Sequence, residues 1–504
     1  MANRKIAMSA YNKLEQRFAR QSALSGAMAM LHWDSAVIMP DGGSAARAEQ
    51  LATLGVLAHD LLTDPVLDDL LDRAETDHAD LDDWQQANLR EMRNSWRHAT
   101  AVDTDLVEAH SHATSACEMQ WRAAREENDF KGLVPSLEEV VSLTRQMAAA
   151  KSEAFNVSPY DALLDQYEPG CRSATIDTLF DDLGAFLPGF LQQVLEHQKS
   201  LPDLILPEGP FAIEIQKQVG HDFMAALGFD FDHGRLDISH HPFTGGIPDD
   251  VRLTTRYVTE DFTQSLMGTL HETGHALYEQ GLPEKWRSQP VGLARGMALH
   301  ESQSLLVEMQ LSRGQDFLSY ALPKMKLAYL GGGPAWDIQN LQRLYLNVKP
   351  DMIRVDADEV TYPLHVILRY RLEKALLAGD LAITELPGAW NDQMQDLLGI
   401  TPPNDSMGCL QDIHWPSGAI GYFPTYTMGA LAAAQIFQAA FEGVEKLQAQ
   451  IRGGKFDGLV NWLRQNIHQV GSSKSTNEIL QAATGRPLHT EAFKAHLNAR
   501  YLST

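Results

Sequence analysis

The chain has 504 residues, and its 66 Asp plus Glu outnumber its 41 Lys plus Arg to give a formal net charge of -25. Such a surface repels phosphate backbones and anionic bilayers, which excludes nucleic acid and membrane surfaces as partners. Hydrophobic residues at 44% and charged residues at 21% are the balance of a globular chain able to bury a sizeable core, while three scattered cysteines, Cys117, Cys171 and Cys409, exclude a disulfide framework and a cysteine zinc site.

The amino-terminal stretch "MANRKIAMSAYNKLEQRFAR" lacks the apolar core of a signal peptide and reads straight into an amphipathic helix. No stretch approaches the roughly 18 uninterrupted apolar residues of a membrane span. Together with the cysteine usage, this predicts a soluble protein of the reducing cytoplasm. Apolar residues then recur at three and four positions in "YNKLEQRFARQSALSGAMAMLHW", "AEQLATLGVLAHDLLTD", "LEEVVSLTRQMAAAKSEAF" and "YPLHVILRYRLEKALLAGDL". That is the period of an α-helix, and the fold is expected to be mainly α. The acidic run "DLLTDPVLDDLLDRAETDHADLDDW" fits solvated helix faces. Punctuation such as "MPDGG", "LPEGP" and "TPPNDS" is local, and no linker or compositional shift divides the chain, so residues 1–504 are expected to form one helical body.

One segment breaks the helical pattern. Residues 234–258, "GRLDISHHPFTGGIPDDVRLTTRYV", show β-branched alternation on either side of "FTGGIPDD" and predict an antiparallel hairpin with a long glycine-containing loop. The next stretch, "TEDFTQSLMGTLHETGHALYEQGLP", predicts a helix with Thr259 or Asp261 as N-cap, Phe262, Leu266, Met267 and Leu270 on one apolar stripe, and Gly281 and Pro283 as its stop.

His271 and His275 sit four apart in that helix, one above the other on one face, where both imidazoles can reach one metal ion. Catalytic Zn²⁺ is held by three protein ligands with water in the fourth position. Glu272 projects about 100° away from His271, too far round to share its ligand geometry but placed to take the proton of a polarised water. This is the H-E-x-x-H arrangement of metallopeptidases. On a following helix, "GMALHESQSLLVEMQLSRG", Glu301 supplies the third ligand of a thermolysin-type set, with His300 as the rival.

Three further groups bear on substrate. In "DMIRVDADEVTYPLH", Arg354 stands near Asp356, Asp358 and Glu359, which by periodicity alone is a surface ion-pair cluster. In "DDVRLTTRY", Arg252 and Arg256 share a face of the predicted strand. The stretch "GCLQDIHWPSGAIGYFPTYTMG", rich in Gly, Pro and aromatics, suits a loop lining a site, with Tyr422 and Tyr426 as oxyanion donors.

The ordered blocks "LHWDSAVIMP", "HPFTGGIPDDVRLTTRY", "HETGH", "HESQS", "IRVDADEVTY", "GCLQDIHW" and "GYFPTYTMG" resemble the carboxypeptidase Taq family of metallocarboxypeptidases. The resemblance implies a single helical body with a deep groove, a small antiparallel sheet beside the metal-binding helix, and one Zn²⁺ per chain, with Co²⁺ or Mn²⁺ able to use the same ligands. It also implies a homodimer that removes single residues from peptide C-termini with broad side-chain tolerance. His271, His275 and Glu301 become the ligands, Glu272 the base and Tyr422 the likeliest oxyanion donor by position. Arg354 becomes the candidate for the substrate's terminal carboxylate, Arg252 a residue of the groove's closed end, and His241 and Tyr426 further substrate contacts. Departures are "LLVEMQ" after "HESQS", where the family carries an arginine and a Trp-Glu-Asn stretch, and Arg371, where an acidic residue is expected. The rival enzyme reading is an oligopeptidase or another H-E-x-x-H metallopeptidase, against which the two arginine blocks favour a free carboxylate. A metal-binding scaffold would need no base beside its first ligand.

Overall fold

The apolar residues of "YPLHVILRYRLEKALLAGDL" do not form a stripe. Leu364, Val366, Ile367 and Leu368 are all fully buried, so helix Tyr362–Ala378 runs through the core, as an apolar circumference requires. The other three periodic stretches form helices Ala10–Val37, Ser44–Thr63 and Phe130–Phe155. This computed structural model describes residues 8–502, and the fold is mainly α. One buried apolar cluster extends from Ala113 to Tyr501; a smaller one gathers Tyr11, Leu14, Phe18, Leu67, Leu70 and Met92.

The acidic run is more than a solvated face. Helix Val66–Thr76 turns Leu67, Leu70, Leu71 and Ala74 inward. Its outer carboxylates Asp68, Asp72 and Glu75 converge on Arg93 at 2.9, 2.5 and 2.8 Å. Among the described residues, no helix is long and apolar enough to cross a membrane.

The sheet corrects the expectation of an antiparallel hairpin. Three strands, β1 (Gly234–Ile238), β2 (Thr244–Ile247) and β3 (Asp250–Thr255), lie in the order β1-β3-β2. β1 runs parallel to β3, whereas the antiparallel partner is β2, formed by the "TGGI" assigned above to a loop. Ladder hydrogen bonds to β3 override the weak strand propensity of two consecutive glycines. The sheet is therefore mixed. On β3, Val251 and Leu253 are fully buried, and Thr255 packs its hydroxyl 3.4 Å from that of Thr269 on the next helix, Thr263–Gly281.

Candidate metal centre

Helix Thr263–Gly281 starts one step later than its expected caps, with Phe262 at the cap position; Asp261 still supplies the capping bond by accepting from the Thr263 N–H at 2.7 Å. The expected stripe of Phe262, Leu266, Met267 and Leu270 is buried, and the helix ends at Gly281 with Pro283 two residues on. Its histidine pair meets helix Gly296–Leu305 at close range. Gly274, between the histidines, makes this possible: a Cβ there would lie 2.3 Å from the Gln303 carbonyl oxygen and 2.6 Å from Ser304 Cα. From the other side, helix Pro424–Gly443 presses Gly429 against Glu301, whose Cβ would stand 2.7 Å from an added Cβ.

Three donor atoms converge as a result. Glu301 Oε2 lies 3.4 Å from His275 Nε2 and 4.0 Å from His271 Nε2. One donor from each of His271, His275 and Glu301 falls within 4.8 Å of the others, the span a single ion bridges. Each imidazole is held from behind. His271 donates its Nδ1–H to Glu308 at 2.9 Å, and Glu308 is in turn gripped by Arg313 at 2.5 Å. His275 Nδ1 faces the His300 carbonyl at 3.1 Å and His300 Nδ1 at 2.7 Å, while His300 Nε2 reaches Glu279 at 2.8 Å. A proton on His275 Nδ1 and another on His300 Nε2 satisfy this chain and leave Nε2 of His275 free to ligate. His300 thus stands behind a donor, which favours Glu301 over it as the third ligand.

The electrostatics match. Burial works against charge on His271, yet its bond to Glu308 and the charges of Glu301 and Glu308 push it up to about 10. Burial by itself raises Glu301, but the hydrogen bond from His275 and the charges of both histidines draw it down to about 2. A pocket that holds a proton so firmly offers the same negative field to a divalent cation.

Glu272 is buried beside these donors, and its Oε2 accepts from the Thr244 hydroxyl on β2 at 2.6 Å. Thr244, Glu308 and Glu279 had no assigned role from sequence, where only the closeness of Glu308 to Glu301 was a signal; His300, read there as the rival ligand, instead stands behind His275.

Arg354 is not part of a surface cluster. It is 6% exposed, and its Nε and Nη2 donate to Asp412 at 3.2 and 2.8 Å. Arg369 takes the other oxygen of Asp412 at 2.7 Å, leaving two buried guanidiniums on one carboxylate. The nearby acids are used elsewhere: Asp358 accepts from the Val360 and Thr361 N–H groups, and Glu359 pairs with His496 and Arg500. Tyr426 lies under Arg354 at 4.9 Å, and Tyr422 packs edge-on to Tyr426 at 5.2 Å. Burial pushes the Tyr422 phenol well above its ordinary value, so its hydroxyl stays a donor.

Arg252 is turned to the other side of the sheet, chelated by Asp250 and stacked on Trp33 at 4.5 Å. Arg256 lies past the end of β3 and is exposed, so the two arginines do not share a strand face. His241 is exposed on the loop between β1 and β2, where its ring meets His240 edge-on.

Residues 13–501 match the Carboxypeptidase Taq (M32) metallopeptidase family. The chain belongs to this family of metallocarboxypeptidases. It is 36% identical to thermostable carboxypeptidase 1 of Thermus thermophilus, with 98% of each chain covered, and 34% identical to carboxypeptidase 1 of Bacillus subtilis, with 96% of each covered. Among solved structures, Trypanosoma cruzi metallocarboxypeptidase 1 superposes with a TM-score of 0.96 at 39% identity, covering 98% of this chain and 99% of that one. The Pyrococcus furiosus carboxypeptidase, solved as Apo-Mg, follows with 0.94 at 33% identity over 98% and 99% of the two chains. A metallopeptidase of this family uses a divalent metal, and two imidazoles with one carboxylate are a donor set that fits one.

The two departures from the family's pattern fall in different places. "LLVEMQ" begins at the last residue of helix Gly296–Leu305 and runs into a buried π-helical segment, Leu306–Ser312, which contributes Glu308. Arg371 points outward to Asp181 at 3.6 Å, away from the metal helix.

Proposed function

We propose that this metallocarboxypeptidase releases single amino acids from peptide C-termini with broad side-chain tolerance, and that His271, His275 and Glu301 hold one Zn²⁺ per chain. Co²⁺ or Mn²⁺ suits the same donors. The observation that carries the reading is Glu272, a buried carboxylate fixed by Thr244 at 2.6 Å beside three converging donor atoms.

The bound ion supplies a Lewis acid that polarises the scissile carbonyl and acidifies water. Thr244 engages Oε2 of Glu272, leaving Oε1 to accept the proton of the attacking water and pass it to the departing amine. Tyr422, kept protonated by burial, donates to the developing oxyanion. Arg354 and Arg369 carry one more positive charge than Asp412 balances, a surplus that favours a terminal carboxylate near Tyr426; Arg252 is the second choice for this contact. His241 and Tyr426 are read as further substrate contacts.

The working form is proposed as a homodimer acting in the cytoplasm with the whole chain as one body, a setting that suits three free thiols. The test is a mass-spectrometric time course on a mixed peptide pool, with and without chelator. A ladder of C-terminal truncations that chelator abolishes is expected; internal cuts or chelator-resistant cleavage overturns the reading.

A further inference from the structure

The side of His271 turned away from the other two donors is held by a segment whose own backbone is irregular. In the π-helical segment Leu306–Ser312 the wider turn displaces carbonyls from the regular helical ladder, and every residue of the segment is buried, so those oxygens need protein donors. The donors come from the far end of the chain. Arg500, on helix Glu491–Tyr501, donates through Nη1 to the Met309 carbonyl and through Nη2 to the Gln310 carbonyl at 2.9 Å. The same helix is clamped to the turn a second time. Glu359 accepts from the Gln310 side chain at 3.0 Å and from the Tyr501 hydroxyl at 3.0 Å, with His496 at 2.8 Å and Arg500 at 3.3 Å. One residue before Met309 stands Glu308, the acceptor of the His271 Nδ1–H.

We infer that Arg500 is a positioning residue for His271: by holding the carbonyls of Met309 and Gln310 it fixes Glu308, and through Glu308 the orientation and tautomer of a metal-facing imidazole. The C-terminal helix thereby sets metal affinity from outside the site. The physical reason is that a hydrogen bond to the other nitrogen of a histidine ligand fixes its tautomer and ring orientation, and loss of such a support lowers metal affinity by roughly 10- to 100-fold. A planar guanidinium bridges two neighbouring carbonyls, whereas an ammonium serves one contact at a time. This inference rests on the proposal that His271 is a ligand.

The test uses the full-length protein stripped of metal and titrated with Co²⁺, followed by its visible absorption, with apoprotein melting recorded alongside. Arg500→Ala is expected to weaken Co²⁺ binding about tenfold, and Arg500→Lys to recover part of the loss. Leu497→Ala, a fully buried position on the same helix, is the control: it should lower the melting temperature while leaving Co²⁺ affinity at the parental value. Parental affinity in a folded Arg500→Ala or Arg500→Lys protein overturns the inference, as does an equal loss in Leu497→Ala, which would point to general loosening. A parent protein that binds no Co²⁺ overturns the metal-centre proposal itself.

Discussion

Thr244 donates its hydroxyl to Glu272 Oε2 at 2.6 Å, linking the edge strand β2 to the helix that carries both histidines. A hydrogen bond to a charged group contributes about 1.5–3 kcal/mol. Thr244→Val keeps the shape and removes the donor, so kcat/KM is expected to fall at least about tenfold with metal content unchanged, and Thr244→Ser to retain most activity. Parental turnover in Thr244→Val would show that β2 does not hold the base.

Glu272→Gln preserves size and removes the proton acceptor. Metal content and melting temperature should stay parental while turnover drops by about 10² to 10⁴. A metal-loaded variant hydrolysing at the parental rate would take the base assignment away from Glu272.

Alanine at His271, His275 or Glu301 leaves an incomplete donor set, so each variant should lose metal when dialysed at a concentration that keeps the parent loaded. His300→Ala removes only the group behind His275 and should weaken binding less than Glu301→Ala. Metal analysis of the set decides between them: full retention in Glu301→Ala with loss in His300→Ala would reverse the ligand assignment.

If Arg354 receives the substrate carboxylate, amidating a peptide's C-terminus should cost the parent most of its kcat/KM and cost Arg354→Ala little further. A cycle of two enzymes and two peptide forms isolates that coupling. Equal discrimination by both enzymes moves the role to Arg252.

Glu373 offers a pH test away from the metal. Burial lifts its carboxyl from 4.5 to about 7 despite bonds from Trp415, Tyr160 and the Gly421 N–H. Because the folded value exceeds the unfolded one, this group favours folding most at low pH. Its contribution is lost as pH rises from 4.5 to about 7, by roughly 3 kcal/mol in total. Glu373→Gln should abolish that slope. Denaturant unfolding of parent and variant across the window checks it, and a constant stability difference between them would be fatal to the assignment.

The helical class and the histidine pair were legible in the sequence because both depend on geometry within a few residues. Apolar spacing of three and four makes a helix face, and a separation of four puts His271 and His275 on one side of it. The following helix offered Glu301 as the third donor, and the ordered blocks carried the family. What only the tertiary structure decided are the pairings that support these residues. Thr244 meets Glu272 across 28 residues, His271 meets Glu308 across 37, and Arg354 meets Asp412 across 58. Arg354 has three acids in the five positions that follow it, yet takes none of them, because burial selects the partner that enters the same dry layer. The glycines of β2 spoke for a loop until β3 offered them a ladder. Local backbone rules act within a turn or two of chain, whereas the choice of hydrogen-bond and charge partners is made by which surfaces are buried together.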